Sequence, residues 1–86
     1  MTDVIEVYFE ILWREPVWVK IGYGFPEAVR GPKQALSYLT FRWPAVRGDN
    51  FDDATRRCIL ALRKEVVCED ARIAFIRAAQ DAGMMV

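Results

Sequence analysis

The sequence predicts an α+β fold, in which a small antiparallel sheet of two to three strands precedes three α-helices packed on one face. Apolar residues recur at every second position before Gly31 and at every third or fourth position after it. Gly-Pro and Trp-Pro pairs then mark the start and end of one helix. The chain has 86 residues, 53% of them hydrophobic, which is enough apolar side chains for one thin core. We therefore predict a single domain over residues 1–86.

Three strands are predicted, over residues 4–13, 16–23 and 27–30. In the first, the apolar positions Ile5, Val7, Phe9, Ile11 and Trp13 alternate with Glu6, Tyr8 and Glu10. The second begins at Pro16, where a proline costs no interior ladder bond. The third is short and follows "GYGFP", a turn-like composition. A β-meander is expected, with the pairing order left open.

Three helices are predicted, over residues 32–43, 50–66 and 69–82. Pro32 suits a first helical turn, where its missing N–H has no partner to lose. Pro44 ends the first helix because it disfavours the α conformation in the residue before it. Asp52 and Asp53 complement the positive end of the second helix, and Gly83 suits the position after the third.

Composition excludes several chemistries. The chain has no histidine, which removes the commonest general base and the imidazole metal ligand. Cys58 and Cys68 are too few for a zinc site or a disulfide framework. Twelve basic and twelve acidic side chains cancel, so no net field favours nucleic acid or anionic lipid. No cofactor, metal or catalytic residue is predicted.

The amino terminus, "MTDVIEVYFEILW", is acidic where a secretory signal carries positive charge. No run approaches the roughly 18 apolar residues of a membrane span. We expect a soluble, cytoplasmic protein.

Five segments together resemble one family: "PVWVKIGYG", "VRGPKQALSYL", "RWPAVRG", "ATRRCILAL" and "ARIAFIRAAQDAGM". They are similar to the domain of unknown function 982 family of small uncharacterised bacterial proteins. The resemblance spans residues 16–84, and the N-terminal extension from Met1 to Leu12 is less typical of the family. It implies a compact α+β domain with no assigned activity and no catalytic residues to carry over.

Two chemical candidates have simpler structural explanations. Cys68 lies at a predicted helix N-terminus, which can lower a thiol pKa, but the adjacent Glu69 and Asp70 would repel a thiolate. The acidic run "GDNFDD" lacks the residue order of a calcium loop, and helix capping explains it. An enzyme or small-molecule site would rely on Cys68 or on carboxylates such as Glu6 and Glu10, and is the third function hypothesis.

Basic residues concentrate in the middle of the chain, and those that could contact phosphates are Arg42, Arg47, Arg56, Arg57 and Lys64. Tyr38 or Trp43 could add base stacking. The alternative is that the arginines are ordinary i,i+4 partners of acids, as in Asp52–Arg56 and Asp53–Arg57. A small nucleic-acid-binding regulator is therefore the second hypothesis.

Large apolar groups also lie away from the predicted core side of each helix: Tyr38, Phe41, Leu60, Ile73 and Ile76. Trp18 falls on the outer side of the second strand. Several such groups can form a contiguous patch, which is usually an interaction surface. The alternative is that one helix is sandwiched and buries two faces. The leading hypothesis is a non-catalytic protein-interaction module that forms a homodimer or binds an unidentified protein partner.

Overall fold

A computed structural model describes residues 11–44 and 47–86. It contains two strands and three helices: β1 (Val17–Val19), β2 (Glu27–Val29), α1 (Pro32–Phe41), α2 (Asp49–Leu62) and α3 (Cys68–Asp81). This architecture confirms the predicted α+β class.

The sheet is an antiparallel pair in which Val17 lies opposite Val29 and Val19 lies opposite Glu27. The end of the chain runs along the other side of β1. Met85 bridges Val19 there, and the Lys20 amide donates to the Met84 carbonyl oxygen at 2.8 Å. The carboxyl terminus thus returns to the sheet after α3, which the sequence did not predict.

The predicted strands are longer than the observed ones. The strand expected over residues 16–23 ends at Val19, because the chain turns soon afterwards: the Gly24 amide donates to the Ile21 carbonyl oxygen and Gly22 has φ +58°. Of the strand expected over residues 4–13, residues 4–10 lie outside the described part. Residues 11–13 form no strand, although the Trp13 amide donates to the Arg30 carbonyl oxygen at 2.8 Å.

Helix α2 ends at Leu62, four residues before its predicted end. The Lys64 amide donates to Ala61 at 3.0 Å and the Glu65 amide donates to Leu60 at 2.8 Å, which is the hydrogen-bond pattern of a Schellman motif. Lys64 itself has φ +62°, a left-handed conformation that stops the helix. The prediction was wrong here because a lysine at this position carries no stop signal.

Helix α3 ends with the same motif, but a glycine occupies the left-handed position. Gly83 has φ +69° and its amide donates to Gln80, while the Met84 amide donates to Ala79. Met84 is buried. The predicted stop at Gly83 is confirmed.

The core surrounds Phe75 of α3, which is completely buried. Its ring centroid lies 5.8 Å from that of Trp13 and 5.6 Å from that of Trp43, and Trp43 lies 5.9 Å from Phe51. The remaining buried positions of α3 are alanines: Ala71, Ala74, Ala78 and Ala79. Small side chains there allow the close packing of α3 against α2, its principal neighbour.

Gly31 allows two backbone segments to pack closely at the edge of the core. It is buried, and a Cβ atom at this position would overlap the carbonyl oxygen of Ile11. The sequence predicted Gly31 as a helix start, and the structure adds that the backbone before β1 passes directly against it. Throughout the described residues, no helix is both long and apolar enough to cross a membrane.

Candidate interaction surface

The five apolar residues predicted to lie away from the core differ in exposure. Phe41 is 81% exposed and Ile73 is 40% exposed. Leu60 and Ile76 are half-buried, and Ile76 packs against the core. Tyr38 is buried, with 5% of its surface exposed. The predicted exposure therefore holds fully for Phe41 and Ile73 and is wrong for Tyr38.

Tyr38 is buried because β2 supplies a partner for its hydroxyl group. The hydroxyl donates to Oε1 of Glu27, so the ring can be covered without leaving a polar atom unsatisfied. The Arg42 guanidinium lies over the ring, 4.7 Å from its centroid. Helical spacing placed Tyr38 on the outer side of α1, but the Tyr38 ring is buried and its hydroxyl group bonds Glu27 of β2.

Glu27 joins β2 to the end of α1 through charge-assisted hydrogen bonds. Both Arg42 terminal nitrogens donate to its carboxylate, Nη1 to Oε1 at 2.7 Å and Nη2 to Oε2 at 2.8 Å. The hydrogen bond from Arg42, followed by that from Tyr38, lowers the pKa of Glu27 to about 2. Burial, and then the bond to Glu27, raises the pKa of Tyr38. The three groups form one structural cluster at this end of the molecule.

Two aromatic residues of the turn-like segment "GYGFP" are the most exposed large apolar side chains in the described part of the chain. Tyr23 and Phe25, in the loop between the strands, are 105% and 87% exposed. Phe25 is two residues before Glu27, and Phe41 immediately precedes Arg42, so the Glu27–Arg42 ion pair lies close in the chain to both aromatic residues. We call Tyr23, Phe25 and Phe41 the aromatic surface. The sequence feature that could have revealed this surface is the alternation of two aromatic residues with glycines in "GYGFP".

A second exposed surface follows α2 on the side opposite its buried Ala54 and Ala61. It is a shallow groove of about 370 Å³, and its lining residues, which we call the α2 face, are Phe51, Asp52, Thr55, Arg56, Ile59, Leu60 and Arg63. Ile59 is 39% exposed on this face. The face thus includes Leu60 from the predicted interface and adds Ile59, which the sequence analysis did not single out.

The arginines predicted to contact phosphates are largely engaged with carboxylates. Arg56 and Arg57 both bond Asp53, at 2.9 Å and 3.1 Å. The predicted Asp53–Arg57 pair is therefore present, whereas Arg56 bonds Asp53 instead of Asp52. Burial raises the pKa of Asp53, but hydrogen bonds from Arg56 and Arg57 outweigh it, and the pKa is lowered. Arg42 bonds Glu27.

Arg47 differs from these three arginines. Its guanidinium carbon lies 4.9 Å from the centroid of the Phe51 ring, a cation–π contact at the start of α2. The structure brings Arg56 and Arg57 together around one acid, while Arg42 is directed toward β2. Lys64, the other candidate, lies exposed beyond the end of α2.

The two thiols lie in environments that disfavour the thiolate. Burial, and then the charge of Cys68, raises the pKa of Cys58 to about 12. Burial is also the largest cause that raises the pKa of Cys68, and Glu69 adds to it. Both cysteines are free. Within residues 11–44 and 47–86, no group of three metal-ligating side chains comes together.

The fold and these surfaces define a small α+β domain whose exposed features are apolar and aromatic side chains. Residues 15–86 match the family described as "Protein of unknown function (DUF982)", and the chain belongs to that family. The match confirms the resemblance found in the sequence motifs. No curated protein and no solved structure matches the chain significantly. The family description assigns no activity, so function must be argued from the surfaces.

Proposed function

We propose that this chain is a protein-interaction module that acts without catalysis and associates with a second copy of itself. The observation that supports the proposal is the exposure of large apolar side chains on an 86-residue domain, both on the α2 face and on the aromatic surface. Single exposed apolar residues are common, but several on one small domain favour an interaction surface. A cytoplasmic location stays a prediction from the sequence.

The aromatic surface supports the interaction-module part of the proposal and is assigned to a protein partner other than the second copy. An aromatic side chain buries about 150–250 Å² when it is covered, so these three rings would contribute much of the roughly 800 Å² per partner of a standard interface. The Glu27–Arg42 pair joins β2 to the end of α1, next to the segments that carry Phe25 and Phe41. Aromatic rings provide large contact areas with few rotatable bonds.

Co-purification of two differently tagged copies tests the proposal. The copies are mixed as folded proteins, and one tag is captured. Recovery of the second copy is the expected result, and recovery should fall when Ile59, an exposed residue of the α2 face, is changed to Ser. The matched control changes Lys33 and Ser37 to Ala, two exposed positions on the outer side of α1. The capture is done without washing and at a protein concentration well above the micromolar range, and failure to recover any second copy under these conditions would refute self-association.

Nucleic-acid binding is the second candidate function, and one observation favours it. Within the described part of the chain, Arg47 contacts the ring of Phe51 and makes no ion pair, so its charge is available to a phosphate. Arg42, Arg56 and Arg57 would each have to exchange a carboxylate for a phosphate. Retention on heparin that weakens steeply with salt would support this candidate. Absence of retention at low salt would remove it.

A further inference from the structure

We infer that the second copy docks on the α2 face, so that two α2 helices pack antiparallel about a two-fold axis at the level of Arg57 and Cys58. The inference rests on the proposed self-association and specifies its contact. Its evidence is the order of charges and apolar groups along α2.

Four residues of the α2 face have a spacing that reads the same in both directions. Asp52, Arg56, Ile59 and Arg63 are separated by four, three and four positions. At 100° per residue they fall within about 60° of one another on the helix. An antiparallel copy related by a two-fold axis therefore places Asp52 against the partner's Arg63, and Arg56 against the partner's Ile59. A two-fold interface requires such self-complementarity.

The charges at the two ends of the face are suited to this pairing. Asp52 is exposed and, among the described residues, makes no ion pair. Arg63 contacts Glu65 at 3.1 Å, but 64% of its side chain is exposed, which leaves donors for a second carboxylate. The two-fold axis would create the Asp52–Arg63 pair twice, once at each end of the contact.

The centre of the face combines two apolar side chains, Ile59 and Leu60, with Thr55 and Arg56. Ile59 is the most exposed apolar side chain of α2, and Leu60 lies beside it, half-buried. The two-fold axis places Leu60 beside the partner's Thr55. Asp53 holds the Arg56 guanidinium to one side at 2.9 Å, so the aliphatic part of Arg56 can cover the partner's Ile59.

The contact is small, and the dimer is expected to be weak. A 14-residue helix is about 21 Å long and about 10 Å wide, less than a standard interface offers per partner. A dissociation constant in the micromolar range is expected.

Charge exchange across the two-fold axis tests this inference. Asp52→Lys and Arg63→Glu should each weaken the dimer about tenfold, because each places like charges together twice. The double variant Asp52→Lys/Arg63→Glu restores opposite charges and should return the dissociation constant close to that of the unchanged protein. Sedimentation velocity measures the dissociation constant, and circular dichroism checks that each variant is folded.

Two control variants distinguish the α2 contact from a contact elsewhere on the surface. Asp49→Lys also removes an acid from the first turn of α2, but Asp49 does not line the groove, so the dimer should persist. Phe41→Ser should also leave the dimer intact. The α2 contact would be wrong if neither single charge change altered the dissociation constant, or if Phe41→Ser alone dissociated the dimer. Self-association itself would still hold in either case. An unchanged protein that is monomeric would instead refute the proposed function.

Discussion

At the scale of single residues, the cluster of Glu27, Tyr38 and Arg42 determines which aromatic groups are exposed. Helix periodicity alone places Tyr38 outside α1, and the residue that covers it lies 11 positions earlier in the chain. Because this is a contact distant in sequence, no local pattern could have predicted it. Helical spacing also places Phe41 outside α1, and there the prediction is confirmed, since Phe41 is 81% exposed.

Replacement of Glu27 by Gln should remove a stabilising effect that depends on pH. The pKa of Glu27 is about 2 in the folded protein against an ordinary value of 4.5, so its ionised form stabilises the fold above pH 4.5. That stabilisation is lost as the pH falls from 4.5 toward 2. Urea unfolding should show the unchanged protein more stable than Glu27→Gln at neutral pH, with the difference disappearing near pH 2.

Arg42→Gln is the matched control for this effect, since it breaks the same pair from the other side. Its deficit in unfolding free energy should disappear over the same acid range. A deficit of either variant that stays constant down to pH 2 would show that packing, and not the carboxylate charge, causes it.

The second prediction for a single residue concerns Gly31. Gly31→Ala should lower the free energy of unfolding by about 2 kcal/mol more than Gly48→Ala, because a Cβ at Gly31 overlaps the Ile11 backbone. Both glycines precede a helix in extended conformation, so the loss of a glycine cap is common to the two variants. Denaturant unfolding compares them directly. Equal losses of unfolding free energy in the two variants would mean that the backbone around Ile11 moves away from the new Cβ atom without a large energetic cost.

At the scale of elements, the helix ends show what the sequence could and could not predict. Pro44 and Gly83 act locally, through steric exclusion and conformational freedom, and the ends that they predict are observed within two residues. The end of α2 was missed because Lys64 adopts a left-handed conformation without any local preference for it. The second strand is shorter than predicted for another reason, because the turn at Gly22 begins earlier than the apolar alternation indicates.

Lys64→Gly should therefore stabilise the protein by about 1 kcal/mol, because glycine adopts positive φ without a steric penalty. Lys64→Ala is the control, since it removes the same charge and aliphatic chain but retains the Cβ. Thermal unfolding should show a higher midpoint for Lys64→Gly than for Lys64→Ala. A higher midpoint for alanine would contradict a left-handed Lys64.

At the scale of the whole molecule, composition predicted a surplus of apolar side chains but not their distribution. Tyr38 is buried in the core and Ile76 packs partly against it, whereas the aromatic surface and the α2 face are exposed. The α2 face could have been found in the sequence from the palindromic spacing of Asp52, Arg56, Ile59 and Arg63. The aromatic surface could be found only in part, from "GYGFP", because the Glu27–Arg42 contact between β2 and the end of α1 is distant in sequence.

Sedimentation equilibrium of the unchanged protein over a micromolar concentration series is the decisive experiment for self-association. We expect an average mass that rises from one chain toward two as the concentration increases, with no larger species because a two-fold contact closes on itself. A mass of one chain at every concentration would show that the exposed apolar side chains do not bring two copies together.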